Sequence, residues 1–302
     1  MRGMRRGPAR QRAARALSPL SAVAAVDVHQ IRTIEMKSSD PCNPLPQLKP
    51  LAHKVALVTG VTRRQGIGAA VALALARAGA DVCTAYYRPY DRRMPWGVED
   101  TEPEQILGAL RQKGVRADGV EIDLADPEGP HTLFARAQER FGRIDILVNN
   151  AAYSMATRVE QMAAADLDHH YAVNLRAVLL LCLEFVKGFA HGGAGRIINL
   201  TSGQGLAPLP DDLAYAATKG GVDALTLSLS AAVAGRGITV NAVDPGPTET
   251  GWMRAEQRAA LLATAPMGRL GTPRDAARVV AFLASEEAEW ITGQVIRARG
   301  SS

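Results

Sequence analysis

Two stretches of the chain carry residue types that can do chemistry. The first is Thr59-Gly60-Val61-Thr62-Arg63-Arg64-Gln65-Gly66-Ile67-Gly68, which follows the apolar run Val55–Val58 and precedes an Ala-rich segment over 69–78. Glycines between a strand and a helix suit phosphate binding. Gly60 permits the turn off the strand, Gly66 lets backbone amides approach a pyrophosphate, and Gly68 lets helix and strand pack closely. The N-terminus of the helix that follows Ile67-Gly68 adds free N–H groups and a partial positive charge. Five residues separate Gly60 from Gly66, so the spacing departs from G-x-G-x-x-G. The second stretch is Tyr215-Ala216-Ala217-Thr218-Lys219, which sets a phenol and an ammonium four residues apart, on one face of a helix. A neighbouring ammonium lowers a phenol's reference pKa of about 10 and so eases proton transfer. Either stretch alone is a weak signal.

The second apolar run, Val82–Tyr87, continues into Arg88 without the Asp or Glu that takes the ribose hydroxyls of NAD. Arg63, Arg64 and Arg88 can instead surround a 2′-phosphate, whose geometry the guanidinium fork matches. NADP (NADPH) is therefore the expected cofactor. A solvated surface position is the other reading for any one of these arginines.

These motifs need elements to hold them. Short apolar runs at Val55–Val58, Val82–Tyr87, Ile144–Val148, Arg196–Leu200 and Ile238–Val243 read as strands, with weaker candidates at Gly119–Ile122 and Gln294–Ile296. Helical segments lie between them. Thr101-Glu102-Pro103-Glu104 reads as a capping box, and Asp126-Pro127 as a cap before a Pro at the first helical position. The alternation predicts α/β architecture: a Rossmann-type doubly wound parallel sheet of about seven strands with helices on both faces.

The chain has 302 residues, is 47% hydrophobic and 22% charged, and so has globular composition. It has no apolar run long enough to span a membrane, which predicts no membrane association through such a helix. Cys42, Cys83 and Cys182 lie far apart, which argues against disulfides and zinc and predicts a reducing, cytoplasmic setting. The net charge of +5 resides in residues 1–36, where seven Arg oppose two acids. The remainder holds 35 − 7 = 28 basic and 30 − 2 = 28 acidic residues, which excludes a nucleic-acid footprint. Residues 1–50 lack periodicity and end in Pro41, Pro44, Pro46 and Pro50, so a flexible extension is expected ahead of a single domain over 51–302. Arg5-Arg6 and the Ala/Val-rich stretch after it are compatible with a targeting peptide, although Asp27 and His29 close the apolar part early. The other reading takes Met36 as the start.

Further residues fall into register with the two motifs. Ser202 follows the run Arg196–Leu200, 13 residues before Tyr215, and Asn174 lies 28 residues before Ser202 in a long apolar helical stretch. Asp123-Leu124 follows the third strand, Asn149-Asn150-Ala151-Ala152 closes the fourth, and Pro245-Gly246-Pro247-Thr248 follows the sixth. This ordered set resembles the short-chain dehydrogenase/reductase family over residues 51–300, most nearly its 3-oxoacyl-carrier-protein reductases.

The resemblance implies an NADP-dependent oxidoreductase that interconverts a ketone, a 3-oxoacyl thioester among the options, and a secondary alcohol by hydride transfer. Tyr215 would be the proton donor or acceptor, and Lys219 would lower its pKa and hold the nicotinamide ribose. Ser202 would bind the substrate carbonyl, and Asn174 would kink its helix and hold a water linking Lys219 to solvent. Asp123 and Leu124 would flank the adenine, Asn150 and Ala151 the adenosine ribose side. Thr248, with Pro245 and Gly246, would meet the carboxamide or phosphates. A homotetramer or homodimer would form through the helices that carry Asn174 and Tyr215. The competing reading, a non-catalytic NADP-sensing or scaffolding protein, would be favoured by loss of Tyr215 or Lys219, and both are present.

The chain departs from the family pattern in three places. Ala152 stands where Gly is usual, the glycine loop is two residues longer, and the stretch Pro89–Thr101 is extended. That stretch could cap the adenosine end, contact another subunit, or pack its own aromatics as a surface loop. Thr250–Met267 corresponds to the family's mobile substrate loop, with core packing the other role for Trp252. His169 and His170 are helical neighbours facing about 100° apart, so no metal site is expected.

Overall fold

The structure is a computed structural model and describes residues 49–189 and 193–300. The predicted extension lies outside the described residues apart from positions 49 and 50, and Arg5, Arg6, Met36 and Cys42 go with it. The seven predicted strands form β1 (Val55–Thr59), β2 (Asp81–Tyr86), β3 (Ala117–Glu121), β4 (Ile146–Asn149), β5 (Gly195–Leu200), β6 (Ile238–Asp244) and β7 (Val295–Arg297). They make one all-parallel sheet in the order β3-β2-β1-β4-β5-β6-β7. Every residue of β1, β4, β5 and β6 is buried, which explains why these strands read as continuous apolar runs and not as alternating ones.

Helices α1 (Ile67–Arg77), α3 (Glu102–Arg111) and α9 (Pro273–Ala284) cover one face of the sheet, with Ala56, Val58 and Val82 beneath them. On the other face α4 (Gly129–Phe141), α6 (Ala177–Gly188) and α7 (Leu213–Val233) pack over Val55, Leu57 and Cys83. The remaining helices α2 (Arg88–Arg93), α5 (Ala164–Tyr171) and α8 (Ala255–Ala263) lie around the carboxyl ends of the strands. The chain runs outward from β1 to β3, then crosses to β4 and runs outward again. The point where it reverses, between β1 and β4, opens a crevice at the strand ends, the place where open α/β sheets bind ligands.

Two predicted helix starts differ. Thr101 makes no capping bond to the helix backbone; its hydroxyl accepts from Gln105 Nε2 at 3.0 Å, and Glu104 pairs with Arg111. The box fails because Thr101 is itself in a helical conformation (φ −86°, ψ −11°), whereas a capping residue needs extended backbone. Asp126 accepts the Glu128 amide at 2.9 Å in a turn, so α4 begins two residues further on than expected, with Pro130 in its first turn.

Buried side chains also tie the sheet to α7. Asn149 Nδ2 donates to Asn199 Oδ1 at 2.9 Å, and Asn199 Nδ2 donates to Thr226 Oγ1 at 3.0 Å, all three residues being buried. This chain crosses from β4 through β5 to the helix that carries Tyr215 and Lys219. Asn199→Ala leaves buried polar groups of Asn149 and Thr226 without their partners, each costing about 1–3 kcal/mol. Urea unfolding should show a loss of about 2 kcal/mol or more; a change inside measurement error would mean the chain is not stabilising.

Candidate active site

A cavity of about 890 Å³ occupies the crevice and is lined by the segments that leave the carboxyl ends of β1 to β6. Gly60 and Gly66 line it on the β1 side. Gly60 has φ +72°, and a Cβ there would sit 2.7 Å from Asn150 Nδ2 and 2.8 Å from Ala151 Cα. No other residue fits both the dihedral and the space. Gly68 does not line the cavity; a Cβ on it would lie 2.4 Å from the Gly60 carbonyl oxygen, so it serves close packing. Helix α1 starts at Ile67 with no side-chain cap, and Gly66 and Ile67 present its N-terminal end to the cavity. Uncapped amides at a helix start, behind a floor that excludes any Cβ, fit a pyrophosphate-bearing cofactor.

Thr59 and Asn150 knit β1 to β4 beneath this loop. The Thr59 hydroxyl accepts the amides of Asn150 and Ala151, both at 3.0 Å. Asn150 Nδ2 returns bonds to the carbonyls of Thr59 (2.8 Å) and Gly60 (3.1 Å). Asn150 and Ala151 do line the cavity, as do Asp123, Leu124, Pro245, Gly246 and Thr248. The Asn150 amide, however, braces the loop and does not point outward as a free donor.

The three arginines expected at a 2′-phosphate separate. Arg63 lines the cavity; its Nε pairs with Asp91 at 3.1 Å and its Nη1 donates to the Thr250 carbonyl at 3.0 Å. Arg64 and Arg88 do not line it. Arg64 lies outside, its amide donating to Glu102 and its guanidinium to Gln105, and Arg88 is paired with Glu121. A carboxylate at Glu121, on β3 beside β2, therefore captures the arginine that follows the second strand. Arg93 takes a place at the cavity wall near Tyr87, whose phenol bonds the Asp123 carboxylate. Arg93 was legible only by knowing that Arg88–Arg93 coils into a helix, which turns its last residue back toward the strand ends.

Ser202, Tyr215 and Lys219 line the opposite wall together. The Ser202 hydroxyl is hydrogen-bonded to the Tyr215 phenol, and the Lys219 ammonium lies 5.6 Å from the centre of the Tyr215 ring. Lys219 Nζ also donates to the Leu200 carbonyl at 2.7 Å. Burial, reinforced by Asp212, pushes the Tyr215 phenol above its ordinary range, and the Ser202 bond works against that. Burial pushes Lys219 down to about 8, partly opposed by Asp223. Asn174 does not line the cavity but stands behind it, in a five-residue π turn, Ala172–Arg176, joining α5 to α6. Its Oδ1 accepts the Tyr153 amide at 2.7 Å, while its Nδ2 donates to the Tyr153 carbonyl at 2.8 Å and to Thr218 Oγ1 at 3.1 Å. Asn174 thus fixes the strand-end loop carrying Tyr153 against the helix that carries Tyr215.

Residues 60–300 match the family described as Enoyl-(Acyl carrier protein) reductase. The chain is 46% identical over 250 residues to the uncharacterized oxidoreductase YjdA of Bacillus subtilis (strain 168), covering 82% of this chain and 96% of that protein. It is 37% identical over 253 residues to the 3-oxoacyl-[acyl-carrier-protein] reductase FabG of Vibrio cholerae, covering 83% and 97%. The chain belongs to the short-chain dehydrogenase/reductase family. Among solved structures of such proteins, a short-chain dehydrogenase from Burkholderia cenocepacia J2315 in complex with NADP matches with TM-score 0.75 and 32% identity, over 83% of this chain and 98% of that one.

Within this short-chain dehydrogenase/reductase, several cavity residues carry no local sequence signal. Tyr90 and Tyr153 meet at 5.5 Å, and His169 stacks on Tyr153 at 5.6 Å, forming an aromatic wall. His170, buried beside them, contacts the Asp166 carbonyl and accepts the Met155 amide, so the His pair is used in packing. Arg299 pairs with buried Asp244 at 2.9 Å, and Asp244 also accepts the Gly246 amide at 2.9 Å, holding the turn before Thr248. These residues meet only through the fold.

The depressed Lys219 pKa has a consequence for stability. Folded Lys219 releases its proton near 8 and an unfolded lysine near 10.5, so the unfolded state binds more protons between those values. Stability contributed by this group therefore rises with pH across that window. Urea unfolding of wild type and Lys219→Met should show the wild type gaining on the variant as pH rises from about 8 to about 10. A constant difference would mean that Lys219 titrates normally.

Proposed function

We propose that the protein is an NADP(H)-dependent oxidoreductase that interconverts a ketone, with 3-oxoacyl thioesters among the candidates, and a secondary alcohol, using Tyr215 as proton donor and acceptor. The observation that carries this reading is that half-buried Ser202 and Tyr215 and buried Lys219 line one cavity with the uncapped start of α1. A nicotinamide cofactor, when bound, supplies the hydride. The chain's own groups do the rest. Ser202 holds the substrate oxygen and stabilises the negative charge that develops there. The Tyr215 phenol, kept protonated by burial, donates its proton to that oxygen. Lys219, four residues on, favours the phenolate left behind and offers its ammonium to the ribose. Asn174 keeps the loop that carries Tyr153 and the Tyr215 helix in fixed relation.

Preference for NADP is supported by the acid-free end of β2 at Tyr86 and Tyr87 and by Arg93 at the cavity wall. The FabG of Vibrio cholerae is named for a 3-oxoacyl substrate and the Burkholderia neighbour binds NADP, which agrees with this reading. Exposed Leu179 and Leu183 on α6 and Leu227 on α7 support assembly into a homotetramer or homodimer through those helices. Among the described residues no helix is long and apolar enough to cross a membrane, and the buried thiols of Cys83 and Cys182 suit a cytoplasmic setting.

Tyr215→Phe keeps the ring and removes the proton, so turnover of an accepted ketone should fall by about 10²–10⁴-fold while NADPH titration stays near wild type. Retention of more than about a tenth of wild-type turnover would refute the proton-donor role. Cofactor titration should show NADPH binding at least about tenfold more tightly than NADH, equivalent to about 1.4 kcal/mol, with Arg93→Ala eroding that margin. Equal dissociation constants in the wild type would overturn the preference.

A further inference from the structure

Across the cavity mouth lies a cluster that the proposed reaction leaves unused. Arg63 belongs to the glycine loop, Asp91 and Trp96 to the extended stretch after β2, and Thr250 and Trp252 to the segment after β6. Arg63 is held on three sides: its Nε by Asp91 at 3.1 Å, its Nη1 by the Thr250 carbonyl at 3.0 Å, and its planar face by the Trp96 ring 5.0 Å away. Trp96 Nε1 donates to the same Asp91 oxygen at 2.9 Å. Trp96 also stacks on Trp252, whose ring lies 5.1 Å away and within 12° of parallel. The Arg63 and Asp91 side chains are only 11% and 10% exposed, so the ion pair is shielded from water and salt. Gly251 passes this cluster at φ +85°, and a Cβ there would lie 3.6 Å from Arg63 Nη1.

We propose that Arg63, Asp91, Trp96 and Trp252 form a latch tying the substrate loop, residues 250–267, to the cofactor loop, with Arg63 acting as its positioning residue. The proposal rests on the functional reading above for the identity of the two ligands. A guanidinium already paired with Asp91 and bonded to Thr250 is committed to protein partners, which leaves reading of the 2′-phosphate to other groups. Because the latch spans both loops, anything that orders one favours order in the other. Cofactor retention and closure over the ketone are therefore coupled, and the coupling is reciprocal.

The stack gives the latch its own optical signal. The chain has three tryptophans, and the third, Trp290, is 95% exposed, so a far-ultraviolet exciton couplet in the full-length protein reports on Trp96 and Trp252. In Trp252→Leu and Trp96→Leu the couplet should vanish. Thermolysin should cut within residues 250–267 faster, and stopped-flow NADPH release should quicken about tenfold, the factor given by about 1.4 kcal/mol. The ketone KM should rise by a similar factor with kcat held within about threefold, since the reacting groups are untouched. Trp252→Phe keeps a stacking ring and should restore release and KM to within about twofold of wild type. Arg63→Met should speed the release of NADPH and NADH alike. The proposal is overturned by unchanged cleavage and release in the Leu variants, by Trp252→Phe behaving like Trp252→Leu, or by Arg63→Met weakening NADPH alone. Couplet and cleavage are read without cofactor, so a wild type that failed to turn over any ketone would count against the functional reading and leave the latch to be judged on those two signals.

Discussion

The pocket depends on one small knot of hydrogen bonds between the ends of β1 and β4. Thr59 receives two amides of the Asn150–Ala151 turn, and Asn150 returns its side-chain amide to the carbonyls of Thr59 and Gly60. Parallel strands that diverge in opposite directions leave backbone groups at this point without sheet partners, and the knot supplies them. Its tightness decides which residues can stand nearby. Gly60 and Gly68 each bring a would-be Cβ within 2.7 Å of the same Asn150 nitrogen. The glycines of the cofactor loop are thus as much a requirement of the knot as of any phosphate.

Electrostatics at the opposite wall follow from burial. Tyr215 is half-buried and Lys219 buried, and desolvation moves their pKa values apart, the phenol upward and the ammonium downward to about 8. Desolvation thus favours the neutral form of each group, so the phenol keeps its proton for a substrate oxygen. Ser202 and Asp223 trim these shifts, each offsetting part of the desolvation at its neighbour. The polar chain Asn149–Asn199–Thr226 then fixes α7, and with it the pair, relative to the sheet.

The centre of the sheet was legible because buried parallel strands read as apolar runs, as β1, β4, β5 and β6 do, whereas β3 and β7, less buried at the two edges, gave weaker signals. Glycine loop, Ser202, Tyr215 and Lys219 were legible because their chemistry demands fixed spacing along one or two elements. The arginines were not. Whether Arg63, Arg64 or Arg88 faces the cavity depends on Asp91, Glu102 and Glu121, carboxylates brought by other elements, and linear spacing carries no trace of them. Arg93, Arg299 and the Trp96–Trp252 stack were hidden for the same reason. The misread helix starts were local errors: Thr101 has the right side chain for a cap in the wrong backbone conformation.

The π turn at Ala172–Arg176 carries a consequence for how this gene segment can vary. A π turn is an α-helix with one residue too many, and that surplus residue rotates everything after it by about 100°. Here the rotation lets His169 on α5 face the site while Val178, Leu181 and Phe185 on α6 face the sheet. Removal of one residue from this turn would restore a regular helix and aim one of the two faces at solvent. Lineages of this protein should therefore vary at the outward positions of α5 and α6 while the combined length of the two helices stays frozen to the residue.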